Sequence, residues 1–287
     1  MKVKKISRRS FLKFTAFTTV SSAVSIGGYA YHIEPKWLKV ERVPVKLANL
    51  PEAFDGVKIA QISDLHADDI LTPEDVAQVV TFVNLLKPDL VVITGDYVTR
   101  DSSYGFPIAK ALKLLNAPLG CFAVLGNHDY WGRVEEIVEA FDFHSLSLLK
   151  NQTQSIERDG SRIWIAGVDD VLERKQDLEK TLAGVPANET IILLAHEPDY
   201  ADLVAADRRV MLQLSGHSHG GQIRIPFYGA PVLPPLGKKY PWGLNQVGQM
   251  QVYTNRGLGV VRWAAVPAMR VNCRPEVTLL TLKRAEL

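Results

Sequence analysis

The sequence predicts an α/β protein, and two observations carry this prediction. Five strand-like runs, most of them continuously apolar, recur along the chain, and segments with helical spacing lie between most of them. Each run ends in polar residues, and ligand sites of α/β sheets form outside the carboxyl ends of the strands. The five runs are 57–62, 90–93, 122–125, 191–194 and 210–214.

The other elements fit this alternation. Residues 72–75 open a helix, because Thr72 can cap it, Pro73 suits its first turn and Asp75 completes a capping box. Residues 37–47 partly alternate, and Pro44 there favours an edge strand. Further predicted helices lie near 107–115, 134–141, 178–182 and 200–205, and further predicted strands at 163–166, 222–225 and 277–282.

The composition excludes several classes of protein. With 47% hydrophobic and 22% charged residues, the 287-residue chain is ordinary for a globular protein. With two cysteines, Cys121 and Cys273, the sequence excludes a dense disulfide framework and a thiolate zinc site. It does not decide whether a single disulfide bond joins the two.

The first 30 residues differ from the rest of the chain. They hold six Lys or Arg and no Asp or Glu, so the remaining chain has a formal charge of −4 although the whole carries +2. The body of the chain therefore has no basic footprint for nucleic acid, and we expect no nucleic-acid partner.

The segment 7–13 closely matches the twin-arginine export signature, and a moderately apolar stretch follows at 14–31. We expect residues 1–30 to be a signal peptide, cut after Ala30, or an uncleaved membrane anchor, and 31–287 to form a single domain. The expected partner is the twin-arginine export machinery, with possible membrane association. The expected location is the periplasm or the outer face of the cytoplasmic membrane or cell wall. A soluble basic helix is the plainer alternative.

Residues with metal-binding side chains cluster at the five strand ends. Five of the seven histidines lie there, whereas chance placement would scatter them. Neutral imidazole is the commonest metal ligand in proteins. The candidates are Asp64, His66, Asp96, Asn127, His128, His196, His217 and His219.

The segment 216–221, Gly-His-Ser-His-Gly-Gly, has three interpretations. It is a metal-binding loop, a G-x-S-x-G turn with Ser218 as a hydrolase nucleophile, or a polar turn without chemistry. A nucleophile elbow requires a helix after the serine, but 222–225 is typical of a strand. The other strand ends therefore favour the metal-binding interpretation.

Together these motifs resemble the calcineurin-like metallophosphoesterase family over about residues 55–222. The leader, 255–259 and 274–276 further resemble its exported YaeI-type phosphodiesterase branch, and a related branch hydrolyses UDP-2,3-diacylglucosamine. The resemblance implies a four-layer sandwich of two mixed β-sheets flanked by helices, and two divalent metal ions. It implies that Asp64, His66 and His219 hold one ion, that Asn127, His196 and His217 hold the other, and that Asp96 bridges them.

The resemblance also implies a reaction. Two ions clamp a phosphoryl group, and a metal-bridging hydroxide attacks phosphorus in a phosphodiester or pyrophosphate. The ligand types suit Mn²⁺, Zn²⁺ or Fe. We expect His128 to protonate the leaving group and Asp129 to orient His128. A non-catalytic metal-binding scaffold is an alternative.

The substrate is open at this stage. The segment 226–242 is rich in proline, glycine and aromatic residues, and contains Lys238 and Lys239. It is either an apolar and basic flap over the site, suited to a lipid-linked phosphodiester, or a structural cover over a sheet edge. Arg256 and Arg270 are either phosphate contacts or members of surface salt bridges.

Overall fold

Two mixed sheets stacked face to face, with helices on both outer faces, form the core of the protein. We describe residues 7–262 and 268–285 of a computed structural model. The arrangement confirms the four-layer sandwich that the resemblance implied.

The first sheet has six strands, which are β1 (Lys39–Leu47), β2 (Lys58–Ile62), β3 (Leu90–Thr94), β4 (Cys121–Val124), β5 (Ser147–Leu148) and β12 (Glu276–Arg284). Their order is β1-β12-β2-β3-β4-β5, with β2, β3 and β4 parallel to one another. β1 lies at the edge, as Pro44 predicted.

The second sheet also has six strands, which are β6 (Gln152–Arg158), β7 (Ser161–Gly167), β8 (Ile191–Leu194), β9 (Val210–Ser215), β10 (Gly243–Val247) and β11 (Met250–Thr254). Their order is β10-β11-β9-β8-β7-β6, and β7, β8 and β9 are parallel. The loops that follow the parallel strands of the two sheets lie against each other, since the His217 N–H after β9 donates a hydrogen bond to the Asp64 carboxylate after β2.

The α-helices of the described ranges are α1 (Arg8–Gly28), α2 (Pro73–Leu85), α3 (Gly105–Leu112), α4 (Asn127–Trp131), α5 (Val134–Phe143), α6 (Leu178–Leu182) and α7 (Ala201–Val204). The capping box that was predicted for α2 is present. The Thr72 side chain accepts a hydrogen bond from the Asp75 N–H, and the Asp75 carboxylate accepts one from the Thr72 N–H.

The buried strands separate three hydrophobic clusters. In β3, Leu90 and Val92 pack between the sheets, whereas Val91 and Ile93 pack against the helices of the outer face. In β8, Ile191 and Leu193 pack against the opposite helical layer. Because both faces of these strands are covered, their sequences are apolar without alternation.

Sequence patterns missed or misplaced some strands. The predicted strand at 222–225 is wrong, since only isolated bridges form at Ile223 and Ile225. Gln222 has a φ of 56°, and Pro226 follows directly, so the backbone cannot continue a ladder. The missed strands lack a continuous apolar run: β5 has two residues, β6 and β10 are partly solvated, and the mostly buried β11 mixes polar and apolar residues.

The N-terminal helix α1 carries many exposed apolar side chains, and the residues after it pack on the body. The Ala30 carbonyl oxygen accepts a hydrogen bond from the Arg270 N–H, and the Glu34 carboxylate accepts one from the Cys273 N–H. Among the helices described, none is both long enough and apolar enough to cross a membrane.

Candidate metal centre

Loops from both sheets bring all seven predicted metal ligands together. Asp64 and His66 follow β2, Asp96 follows β3, and Asn127 follows β4. From the second sheet, His196 follows β8, and His217 and His219 follow β9. All seven side chains are buried.

One group of four side chains is compact enough to hold an ion. Asp64, His66, Asp96 and His219 each offer one ligand atom, and these atoms lie within 4.8 Å of one another. The Nε2 atoms of His66 and His219 are 3.0 Å apart, and His219 Nε2 is 3.4 Å from Asp64 Oδ1.

A second group lies beside the first. His217 Nδ1 is 3.0 Å from Asn127 Oδ1, and the rings of His196 and His217 are 5.1 Å apart. Asp96 connects the two groups, because its Oδ2 lies 3.3 Å from His66 Nε2 and 3.1 Å from His196 Nε2.

The backbone is strained at most of these residues. Five of the seven ligand candidates have positive φ, in the left-handed region that non-glycine residues rarely adopt, at about 1–3 kcal/mol each. These are Asp64 (50°), His66 (46°), Asp96 (58°), His217 (69°) and His219 (51°). Such conformations persist only where the surrounding structure enforces them, and they are common at functional sites.

Two glycines let the loops approach closely. A Cβ on Gly126 would collide with the Asp96 carboxylate, and one on Gly216 would collide with Ser63 Oγ and the Asp64 carboxylate. A larger residue at either position would therefore displace the neighbouring ligand side chains.

Backbone carbonyls fix the rings of two histidines. His196 Nδ1 donates a hydrogen bond to the Thr94 carbonyl oxygen, which leaves Nε2 directed at Asp96. His217 Nε2 donates to the Pro235 carbonyl oxygen, which leaves Nδ1 directed at Asn127. Such partners commonly orient the imidazoles of metal sites.

Burial and neighbouring charges keep three of the ligand side chains, those of His66, His219 and Asp96, in the deprotonated form that binds metal. Burial lowers the pKa of His66 to about 4, and it holds the pKa of His219 well below its ordinary value, so both imidazoles are neutral at pH 7. Burial would raise the pKa of Asp96, but nearby imidazoles, above all that of His196, outweigh it and hold that pKa well below the ordinary value.

The side chains of Asp64 and His196 differ, because each holds a proton that a cation would displace. Burial raises the pKa of Asp64 to about 7. Burial would lower the pKa of His196, but the Asp96 carboxylate outweighs it and raises that pKa well above its ordinary value. Metal binding to such ligands releases protons.

The residues present fit divalent cations. With its proton on Nε2, His217 turns the lone pair of Nδ1 toward the amide oxygen of Asn127, an arrangement that a cation between them would relieve. Among the described residues, none donates a hydrogen bond to the buried Asp64 Oδ2. Imidazole, carboxylate and amide donors without thiolate suit Mn²⁺, Fe or Zn²⁺.

His128 lies on the wall of a cavity of about 710 Å³ in front of the ligands. Its Nδ1 donates a hydrogen bond to the Thr99 carbonyl oxygen, and its ring packs against that of Trp131 at 4.1 Å. The ring is held in place, and its Nε2 remains available to a ligand in the cavity.

Asp129 acts differently from the expectation. Its carboxylate makes no hydrogen bond to the His128 ring, although both residues are in the described part of the chain. Instead it accepts hydrogen bonds from the backbone N–H groups of Gly126, Asp96 and Tyr97. The reason is direction: at the start of α4, Asp129 turns back on its own N-terminus and the neighbouring loop. Asp129 therefore braces the loop that carries Asp96.

Both arginines considered as phosphate contacts lie away from the cavity lining. Arg270 is fully buried and donates to the carbonyl oxygens of Cys273, Arg256 and Gly259. Arg256 is 6% exposed and pairs with Glu276 and Glu41. Arg256 therefore does form salt bridges, although largely in the interior, whereas Arg270 donates to backbone carbonyl oxygens, and neither arginine lines the cavity. Arg100 and Arg262 line the cavity instead, and no motif in the sequence distinguished them.

Glu197 is a buried residue near the site that sequence patterns did not identify. Its carboxylate accepts hydrogen bonds from the N–H groups of Val171 and Leu172, and Leu172 lines the cavity. Its position directly after His196 was the available signal.

The segment 226–242 meets the site at two prolines. Pro234 and Pro235 line the cavity, whereas Phe227 and Tyr228 are exposed. Lys239 Nζ pairs with Asp202, so this lysine does not give the cavity a basic rim.

Ser218 is fully buried and donates a hydrogen bond to the Pro241 carbonyl oxygen. Only a single 3₁₀ turn, His219–Gly221, follows it. The elbow geometry of a serine hydrolase is absent from this described loop.

Known proteins share both the sequence and the fold. The calcineurin-like phosphoesterase family matches residues 57–221. The chain belongs to this family. It is 40% identical over 288 residues to the metallophosphoesterase YkuE of Bacillus subtilis, covering 98% of this chain and 99% of that protein. It is 34% identical over 281 residues to the phosphodiesterase YaeI of Escherichia coli, covering 96% and 99%.

Solved structures agree on the fold. The sulfate thiohydrolase SoxB of Thermus thermophilus superposes with a TM-score of 0.50 at 14% identity, covering 81% of this chain and 57% of that one. At this identity the likeness concerns the fold alone. The family membership and the buried Asp/His cluster identify the protein as a metal-dependent phosphoester hydrolase.

Proposed function

We propose that the protein is a phosphodiesterase that works with two divalent metal ions. The observation that carries this proposal is the position of Asp96, whose Oδ2 lies within 3.3 Å of an imidazole nitrogen from each ligand group. One carboxylate placed between the two ligand groups suits a pair of cations, since it offsets their mutual repulsion.

The ligands divide between the two ions as the groups suggest. Asp64, His66 and His219 would hold one ion, Asn127, His196 and His217 would hold the second, and Asp96 would bridge them. When bound, two such ions polarise a phosphoryl oxygen and lower the pKa of water toward neutrality.

The chain itself supplies orientation and proton transfer. His128 donates its Nδ1 proton to the Thr99 carbonyl oxygen, so it would act as a general acid in its imidazolium form, which carries a second proton on Nε2 for the leaving oxygen. Arg100 and Arg262 line the same cavity and would balance the charge of the phosphodiester.

The test is turnover of paired model substrates. Mn²⁺-loaded protein should hydrolyse bis(p-nitrophenyl) phosphate faster than p-nitrophenyl phosphate. Chelation should abolish both activities, and added Mn²⁺ should restore them. A preference for the monoester would reject the diesterase assignment, and protein that binds no metal and turns over neither substrate would support the scaffold alternative.

We propose in addition that the leader directs export by the twin-arginine machinery to the outer side of the cytoplasmic membrane. The paired arginines Arg8 and Arg9 at the start of α1 support this. Ala30 is buried and hydrogen-bonded to Arg270, so cleavage after it would require this contact to open. Replacing both arginines with lysine should retain the protein in the cytoplasm, as fractionation would measure, and undiminished export would reject the route.

A further inference from the structure

A second cavity adjoins the catalytic one. It encloses about 540 Å³ between α2, the loop after β2, the segment before β1 and the segment after β11. Its lining is mainly aliphatic, with the ring of Phe82, and includes Leu38, Leu71, Val79 and Val260, while Lys36, Asp75 and Gln78 also contribute. This size and lining are typical of small-molecule sites.

The two cavities share their walls. Along the loop after β2, residues 67–69 line the catalytic cavity, and the next two residues, Ile70 and Leu71, line the second. Along the segment after β11, residues 258–260 line the second cavity, and Val261 and Arg262 line the catalytic one. The cavities are therefore neighbours across two short stretches of chain.

These stretches also contact the metal ligands. The N–H groups of Leu258 and Gly259 donate hydrogen bonds to the Asp64 carbonyl oxygen, and the Gly259 hydrogen bond is 2.7 Å long. A molecule in the second cavity would thus lie beside the loop that holds Asp64 and His66.

The chemistry changes along both stretches in the same sense. On the catalytic side stand Asp68, Asp69 and Arg262, which are charged, and on the other side stand Leu71 and Val260. A ligand that fills both cavities has a polar phosphate at one end and an aliphatic chain at the other.

We propose that the second cavity binds the aliphatic chain of an amphiphilic phosphodiester whose phosphate lies at the metal centre. This inference rests on the proposed phosphodiesterase activity and names its class of substrate. The position of the second cavity, directly across these two stretches from the catalytic cavity, favours a chain of the substrate over a segment of another protein.

Activity against alkyl p-nitrophenyl phosphates of increasing chain length tests the proposal, with each substrate kept below its critical micelle concentration. Burial of one methylene is worth up to about fourfold in affinity. We therefore expect kcat/KM for the dodecyl diester to exceed that for the methyl diester by about tenfold or more.

Two cavity variants and one matched control localise the effect. Phe82→Asp places a charge in the second cavity and Val79→Trp fills it, and both should reduce the dodecyl-to-methyl ratio to near one. Leu85→Ser changes an exposed apolar residue of the same helix that lines neither cavity, and it should keep the wild-type ratio. Turnover of the methyl diester and the melting temperature report whether each variant is folded.

A binding measurement separates this proposal from the activity. The fluorophore N-phenyl-1-naphthylamine should bind metal-depleted wild type, and dodecyl phosphate but not ethyl phosphate should displace it. Binding to wild type and loss in Phe82→Asp support the cavity even if no diester is hydrolysed. Hydrolysis with no dependence on chain length, or equal fluorophore binding by Phe82→Asp, would overturn the proposal while the phosphodiesterase function stands.

Discussion

The two sheets contribute chemically different ligands to the same centre. Loops of the first sheet bring both carboxylates, the amide of Asn127 and one imidazole, whereas loops of the second sheet bring three imidazoles and no carboxylate. The negative charge is thus fixed on one side of the cleft. The first sheet therefore sets the charge of the site, while the second sheet supplies neutral imidazole donors that would complete the coordination of the metal ions.

The largest expected effect follows from removing the shared charge. Asp96→Asn keeps the shape of the side chain but weakens the attraction for both ions. Metal ions contribute several kcal/mol to such reactions, and 1.36 kcal/mol is tenfold in rate, so we expect diesterase activity to fall by about 10³-fold or more. Steady-state kinetics and metal analysis check this.

A matched control for Asp96→Asn lies in the same cavity. Asp101→Asn changes an aspartate of the cavity lining that belongs to neither ligand group, and it should alter activity less than about tenfold. Similar losses in both variants would contradict a special position for Asp96.

The next effect separates the two ligand groups. His66→Ala removes a first-sheet imidazole from one group, and His217→Ala removes a second-sheet imidazole from the other. Each variant should bind about one metal ion per chain, against the two that we propose for wild type, and each should lose most of its activity. Mass spectrometry under native conditions counts the ions. Loss of both ions from only one variant would mean that the groups fill in sequence and not independently.

A smaller effect is expected at the brace behind Asp96. Asp129→Ala leaves four buried N–H groups, those of Asp96, Tyr97, Val98 and Gly126, without this acceptor, which costs about 1–3 kcal/mol per group in the free energy of unfolding. Loss of a supporting residue also lowers metal affinity by about 10–100-fold. Denaturant unfolding and metal titration measure the two quantities. Unchanged metal affinity with lowered stability would make Asp129 purely structural.

The smallest effect tests the turn of the second sheet. Ser218→Ala removes one hydrogen bond to Pro241 and should cost about 1 kcal/mol of stability, with activity within about threefold of wild type. Thermal melting and diesterase assays measure the outcome. Near-total loss of activity with an intact melting curve would revive the serine nucleophile.

Predictability differed between the strands of the core and those of the rim. The strands β3 and β8 were found from the sequence because burial on both faces leaves a continuous apolar signal. The strands β6 and β10 were missed because each lies at a sheet edge, where one side is solvated and the pattern is weak. The predicted strand at 222–225 is wrong because Gln222 has a positive φ and Pro226 follows directly. Within the described residues this segment therefore forms isolated bridges and no ladder.

The residues of the site were also predictable to different degrees. His196 and His217 were found because they stand directly after buried strands. Arg100, Arg262 and Glu197 were missed, since the first two carry no local pattern and the third was adjacent to a predicted ligand without a role of its own. Asp129 was found but given the wrong partner, because a sequence does not show the direction of a side chain.

The α/β class, the strand ends and the eight candidate residues at those ends were predictable from sequence, because they depend on local runs and on which residue follows them, and the family resemblance then selected seven of the eight as ligands. The tertiary structure alone decided how the loops of two sheets meet. It brought the two ligand groups together around Asp96, held five of the ligands in left-handed backbone conformations, and placed an apolar cavity beside the charged one. Such features arise from contacts between residues far apart in the chain, which no local pattern records.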